Sequence, residues 1–315
     1  MPAPIPDKKA RARGMISGLA IGDALGAPVE FIDLEQIKKT YGPRGIKDYN
    51  RGKGMFTDDT QLSIAVAEAL IEAGRLSAEE LMGVISRRFV DWYDSPDNFR
   101  APGISTKLAC RRLKEGVPWR SAGDTKSKGC GSVMRTAPVG FYYCWNLEKL
   151  REAAHNIGLA THRHPTADAA CLGASLAAAL ALDGVPPAGW PGKILDFTAG
   201  ISAEFDATIR RVIEAAGMDD EEKAVAYIGE GFKGWTGDEV LGIALFSVIR
   251  HPDDFAACVL LSVNNSGDSD SIGCVAGALI GARLGVSAIP EKWIKGIERR
   301  QDLETLADRL AAAVA

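Results

Sequence analysis

The sequence contains almost none of the alternating β-branched runs that mark half-buried strands, which argues against a sheet-based architecture. It has no C-x-x-C pair. Its six cysteines, Cys110, Cys130, Cys144, Cys171, Cys258 and Cys274, are scattered. That spacing suits neither a zinc ribbon nor a dense disulfide framework, so reduced, mostly buried thiols in a cytoplasmic protein are expected. No uncharged apolar run approaches ~20 residues, so no membrane span is expected. The opening segment MPAPIPDKKARARG lacks the apolar core of a signal peptide. Nor is there a dense Lys/Arg tract, and the formal net charge is −4. Nucleic acid and acidic membrane surfaces are therefore not expected as the main partner. No tandem repeat and no linker divides the chain, so one domain over residues 1–315 is expected.

What remains is helical pattern. Leu62, Val66, Ala69, Leu70 and Ala73 recur at helical spacing, and Gly74 ends the run. Ser77 and Glu80 form a capping-box pattern ahead of Leu81, Val84, Ile85, Phe89 and Trp92. TADAACLGASLAAALALDG is apolar nearly all round and reads as a buried central helix. SIGCVAGALIGARLG places small residues at Gly273, Ala276, Gly277 and Gly281, a spacing that allows another helix to come close. The fold class expected is all-α, with roughly a dozen helices by pattern counting. The longest non-helical stretch is expected from about Arg100 to Tyr143, and a glycine-rich loop of that length suggests function.

Three constellations can carry chemistry. The first is Thr57-Asp58-Asp59, and the second is Asp268, Asp270 and Ser271 in NNSGDSDSIG. Each sits at a helix start, where capping alone would account for one Asp or Thr. Four aspartates brought together would repel unless a cation neutralised them. Their hard oxygens suit Mg²⁺ or Mn²⁺, and the lack of paired Cys/His disfavours zinc. The third is the loop Ser127 to Arg135, where Gly129 and Gly131 can bring backbone N–H groups close to a phosphate. Lys126 and Lys128 add positive charge there. No GK[ST] follows, so it is not a Walker loop, and a plain turn is the alternative.

In their order, GLAIGDALGAPVEF, TDDTQL, KGCGSVMRTAPVG, ATHRHP and SGDSDSIGCVAGALIGA resemble the successive motifs of the ADP-ribosylglycohydrolase family, of the dinitrogenase-reductase-activating type. The resemblance spans roughly residues 14–285. It implies a compact orthogonal bundle of helices with a cleft holding two Mg²⁺ or Mn²⁺ ions. It also implies hydrolysis of the bond joining ADP-ribose to an acceptor, often an arginine side chain. Thr57, Asp58, Asp59, Asp268, Asp270 and Ser271 match the family's metal ligands. Ser127, Lys128, Gly129, Cys130, Gly131 and Ser132 fall in its diphosphate and ribose loop, His162 matches its Thr-His position, and Glu30 matches its flap glutamate. Ser271 stands in place of the commoner threonine, Ser266 where glycine is frequent, and Cys130 in place of the commoner asparagine.

The implied reaction passes through an oxocarbenium-like state at ribose C1″. Asp58 or Asp59 can take the proton of the attacking water, or Glu30 can help to position the ribose. Trp235 is read as a core residue rather than a wall of the adenine pocket. The rival readings are a non-catalytic ADP-ribose binder or structural protein, which should lose its metal ligands, and a metal phosphohydrolase of nucleotide diphosphates. The partners expected are an ADP-ribosylated protein or small-molecule acceptor, with ADP-ribose as product.

Overall fold

The structure is a computed structural model that describes residues 7–74, 76–229 and 234–314. The first six residues of the Pro-rich opening segment lie outside that range. Among the described residues there are seventeen α-helices, five short 3₁₀ turns and no strand, only three isolated bridges. The all-α expectation holds. The number exceeds a dozen because one- and two-turn helices, such as Trp119–Ala122 and Glu291–Gly296, are too short to show a period.

Most long helices start where a polar side chain caps free N–H groups. Ser77 and Glu80 form the reciprocal capping box of the helix Ala78–Asp94. Asn146, Ser202, Asp220 and Asp254 cap four others. The helix Pro165–Leu182 is long and apolar enough to cross a membrane. It is instead buried inside the fold, as its all-round apolar surface implies. The stretch expected to be non-helical contains the helix Ile104–Lys114. Its buried side is only Thr106, Ala109 and Cys110, while Arg111, Arg112 and Lys114 crowd the rest, so its apolar signal is faint.

The central packing is between the N-terminal helix Lys8–Gly26 and the helix Ser269–Leu284. They run antiparallel with their backbones in contact. A methyl group on Gly18 would lie 2.2 Å from the Gly277 carbonyl oxygen, and one on Gly22 would lie 1.9 Å from that of Gly273. Gly14 meets Gly281, and Gly26 meets Ser269, in the same register. The small-residue stripe read in the sequence thus has a matching stripe as partner. Because the register is antiparallel, the end of the first helix lies beside the start of the second. That is where the carboxylates are.

Gly22→Ala should therefore destabilise the fold by about 2–5 kcal/mol, since backbone must move to admit the methyl group. Gly83→Ala is the control. It lies on an exposed helix surface with nothing near its Cβ, and should stabilise by up to ~1 kcal/mol. Chemical denaturation of both variants decides; equal stabilities would contradict the tight seam.

Candidate metal and ADP-ribose site

Three chain segments meet at the seam's end. Asp268 caps the helix Ser269–Leu284, its carboxylate accepting from Ser271 N–H (3.3 Å), and Asp270 also accepts from that N–H (2.9 Å). Thr57 caps the helix Asp58–Ala73 through its hydroxyl, which accepts from Asp59 N–H (3.4 Å). Capping therefore occurs, but it does not use Asp58. Glu30 follows the first helix, and the chain is held there by Phe31 N–H donating to the Gly267 carbonyl (2.7 Å). Oxygens of Glu30, Asp268 and Asp270 lie within 4.8 Å of one another.

Asp23 joins these segments and carried no assigned role in the sequence analysis. It is fully buried. Its carboxylate accepts from Thr57 N–H (2.9 Å), Thr60 N–H (3.0 Å) and the Thr60 hydroxyl (2.6 Å). It thus docks the start of the helix Asp58–Ala73 onto the first helix. The signal was the Asp in GLAIGDALG, an acid on an otherwise apolar helix face. Arg100 adds a second fastening: it pairs with Glu298, donates to the Phe56 carbonyl (2.9 Å), and its own carbonyl accepts from Asp58 N–H (3.1 Å).

The electrostatics are one-sided. Asp58, Asp59, Asp268 and Asp270 are all buried, and none pairs with Lys or Arg among the described residues. Burial, first, and the charge of Asp270, second, push Asp23 and Glu30 each up to about 7. The same two causes hold Asp58, Asp59 and Asp268 well above the usual carboxylate range. Asp59 Oδ1 is buried with no hydrogen-bond partner. Such an atom needs a partner, and a cluster of hard oxygens lacking counter-charge fits a divalent cation.

A cleft of about 320 Å³ opens over these groups. Its lining brings together Glu30, Asp58, Asp59, Asp268, Asp270 and Ser271 with Ser127, Gly129, Cys130, Gly131 and His162. Among the described residues four non-glycines have left-handed backbone, and two of them, Phe31 (φ 53°) and Ala101 (φ 54°), also line it. Strain of that kind gathers at functional sites. A larger cavity of about 790 Å³ lies elsewhere, beside Tyr142 and Trp145, with Glu152 as its single acid. Volume alone does not mark the site.

Several expectations need correction. Lys128 and Ser132 do not line the cleft. Lys128 pairs with Glu204, and Ser132 is fully buried in the 3₁₀ turn Cys130–Ser132. Thr57 lies just behind the lining, its hydroxyl donating to Asp59 Oδ2 (3.3 Å). Cys130 N–H is taken by the Trp235 carbonyl (3.2 Å), so this residue offers its thiol, which donates to Asp268 Oδ2 (3.1 Å). Trp235 is no core residue. It is 43% exposed at the cleft, because its backbone pairs with the glycine loop at the mouth. Ser266 accepts from Leu34 N–H (2.9 Å), using its hydroxyl to start the helix Leu34–Tyr41.

The sequence model of the ADP-ribosylglycohydrolase family matches residues 4–315. The chain belongs to that family. A glycohydrolase of this kind hydrolyses glycosidic bonds of ADP-ribose. A protein of Archaeoglobus fulgidus is 32% identical, over 95% of each chain. The ADP-ribosyl-[dinitrogen reductase] glycohydrolase of Rhodospirillum rubrum is 28% identical, over 93% of this chain and 92% of its own. ADP-ribosylarginine hydrolase Tri1 of Serratia proteamaculans is 26% identical, over 98% of this chain and 81% of its own. A solved structure described as an ADP-ribosylglycohydrolase-related protein complex superposes with a TM-score of 0.77 at 28% identity, covering 98% of this chain and 99% of that one.

The cation fit has a direct check. Mn²⁺ added to the metal-free glycohydrolase should raise its melting temperature, because only the folded state gathers these carboxylates. Asp270→Ala should abolish that rise while keeping the helical circular dichroism. A rise that survives in the variant would remove Asp270 from the cation site.

Proposed function

We propose that the chain, as one glycohydrolase domain over residues 1–315, removes ADP-ribose from arginine side chains of a modified protein in the cytoplasm. The observation that carries this is the cleft itself, which is lined by the carboxylates together with a glycine loop and His162. Two relatives bear names specifying an ADP-ribosylarginine or an ADP-ribosylated dinitrogen reductase, which supports an arginine acceptor. Six unpaired cysteines accord with a reducing compartment.

Thr57, Asp58, Asp59, Asp268, Asp270 and Ser271, with Glu30 beside them, would hold two divalent cations, Mg²⁺ or Mn²⁺. When bound, such cations screen the carboxylates, orient the ribose hydroxyls and lower the pKa of a water. The protein's own groups do the rest. Gly129 and Gly131 let the diphosphate approach the loop, with His162 beside it. Trp235, next to Gly129, offers a face to the adenosine end. Glu30 sits at the carboxylate end and positions the ribose. Asp58 or Asp59 takes a proton from the attacking water. The water oxygen bonds to C1″, the C1″–N bond breaks, and the departing guanidine nitrogen keeps the electron pair and gains a proton.

The product retains every group that the loop addresses, so ADP-ribose should inhibit competitively. Chelation with EDTA should depress turnover far more than ADP-ribose affinity, because the loop contacts persist. Full activity in EDTA would sink the cation-dependent reading. Release of AMP rather than ADP-ribose from an ADP-ribosylated arginine substrate would favour a phosphohydrolase, and binding without any product would favour a non-catalytic binder.

The loop has its own test. A methyl group on Gly129 would meet only ordinary contacts at 3.6–3.8 Å, whereas one on Gly131 would press on Thr106 at 2.7 Å. Gly129→Ala should therefore fold normally yet bind ADP-ribose on the order of tenfold more weakly, about 1.4 kcal/mol. Unchanged affinity by calorimetry would take this loop out of the ligand site.

A further inference from the structure

We infer that Arg135, acting through Thr161, is a positioning residue that sets His162 as a neutral imidazole with its Nε2–H turned to the cleft. Arg135 is fully buried and pairs with no carboxylate among the described residues. Its guanidinium lies over the Phe89 ring, 4.7 Å from the centroid. One nitrogen, Nη1, donates to the Gly131 carbonyl. The other, Nη2, donates to the Ile157 carbonyl (3.2 Å) and to the Thr161 hydroxyl (2.6 Å).

The direction of that last bond decides the histidine. A guanidinium has no lone pair to accept with, so the Thr161 oxygen must be the acceptor. Its single proton then needs an acceptor of its own. His162 Nδ1, at 2.8 Å, is the one it has. Nδ1 is therefore unprotonated, and the ring proton of a neutral imidazole must sit on Nε2. The opposite tautomer would leave the Thr161 proton buried without an acceptor, at a loss comparable to a hydrogen bond.

Nε2 makes no hydrogen bond to any described residue, and it is the ring nitrogen nearest to the space above Gly129, 3.8 Å from where a Cβ would stand. An imidazolium would put a second cation beside Arg135. Burial, and then that neighbour, push the ring down to about 3. His162 thus presents a neutral donor, suited to an acceptor oxygen of a phosphate or a ribose and unsuited to proton transfer. Because the same guanidinium holds the Gly131 carbonyl, loop and histidine share one fastening. A change at Arg135 disturbs both.

The test uses the whole protein with ¹⁵N-labelled histidine. It has four histidines, and His162→Gln assigns the signal. At pH 7 the ring should show Nε2 protonated and Nδ1 not; an Nδ1–H or doubly protonated ring would overturn the inference. Thr161→Val keeps the shape and removes the hydroxyl. It should mix the tautomers and weaken ADP-ribose binding roughly tenfold, and Thr161→Ser should restore both. Retention of the single tautomer by a folded valine variant would also overturn the inference. Should that variant not fold, the wild-type and serine spectra decide. The affinity arm rests on the ADP-ribose reading and the tautomer arm does not. A correct tautomer in a protein that does not bind ADP-ribose would defeat that reading and leave the positioning intact.

Discussion

The backbone contact between the helices Lys8–Gly26 and Ser269–Leu284 is the constraint on which the site depends. Glycines on one edge of the first helix, and glycines with Ser269 on the facing edge of the second, bring the backbones together, so carbonyl oxygens of one helix lie where a methyl group of the other would be. Sliding by one residue would bring a side chain into the seam. The register puts Glu30, just past the end of one helix, next to Asp268 and Asp270 at the start of the other. A site made of acids from distant segments is thus located by residues that carry no charge.

A second constraint is electrostatic. Carboxylates repel, and burial makes each harder to ionise. The fold gathers them nonetheless, and Asp23 spends its own carboxylate on the N–H groups that begin the helix Asp58–Ala73. Buried acids without basic partners are a standing instability. A divalent cation would relieve it, so the same arrangement that strains the metal-free protein suits a cation site. At the glycine loop the logic is reversed. Arg135 is a buried cation whose two terminal nitrogens donate to carbonyls and a hydroxyl and whose face lies on an aromatic ring, while its Nε has no hydrogen-bond partner among the described residues.

Much of this was legible locally. The capping box at Ser77 and Glu80 and the acids at the two helix starts are motifs of a few residues, and local geometry dictates them. The apolar surface of the helix Pro165–Leu182 announced its burial. Other features were hidden for identifiable reasons. The helix Ile104–Lys114 has too narrow an apolar face to show a period. Trp235 reads as core by residue type, yet its backbone pairing with the glycine loop holds it at the mouth. Lys128 reads as a phosphate ligand by proximity to glycine, yet Glu204 on a later helix claims it.

By itself the sequence determined the helical class, most helix starts, the hard-oxygen chemistry of the acids and, through its ordered motifs, the family. These depend on contacts within a turn or two of chain, where spacing is geometry. Only the tertiary structure decided which small-residue stripe met which, that Asp23 docks the second carboxylate segment, and that Arg135 reaches His162 through Thr161. Those pairings join residues far apart in the chain, and nothing in a local pattern specifies a partner; close packing of the folded backbone does.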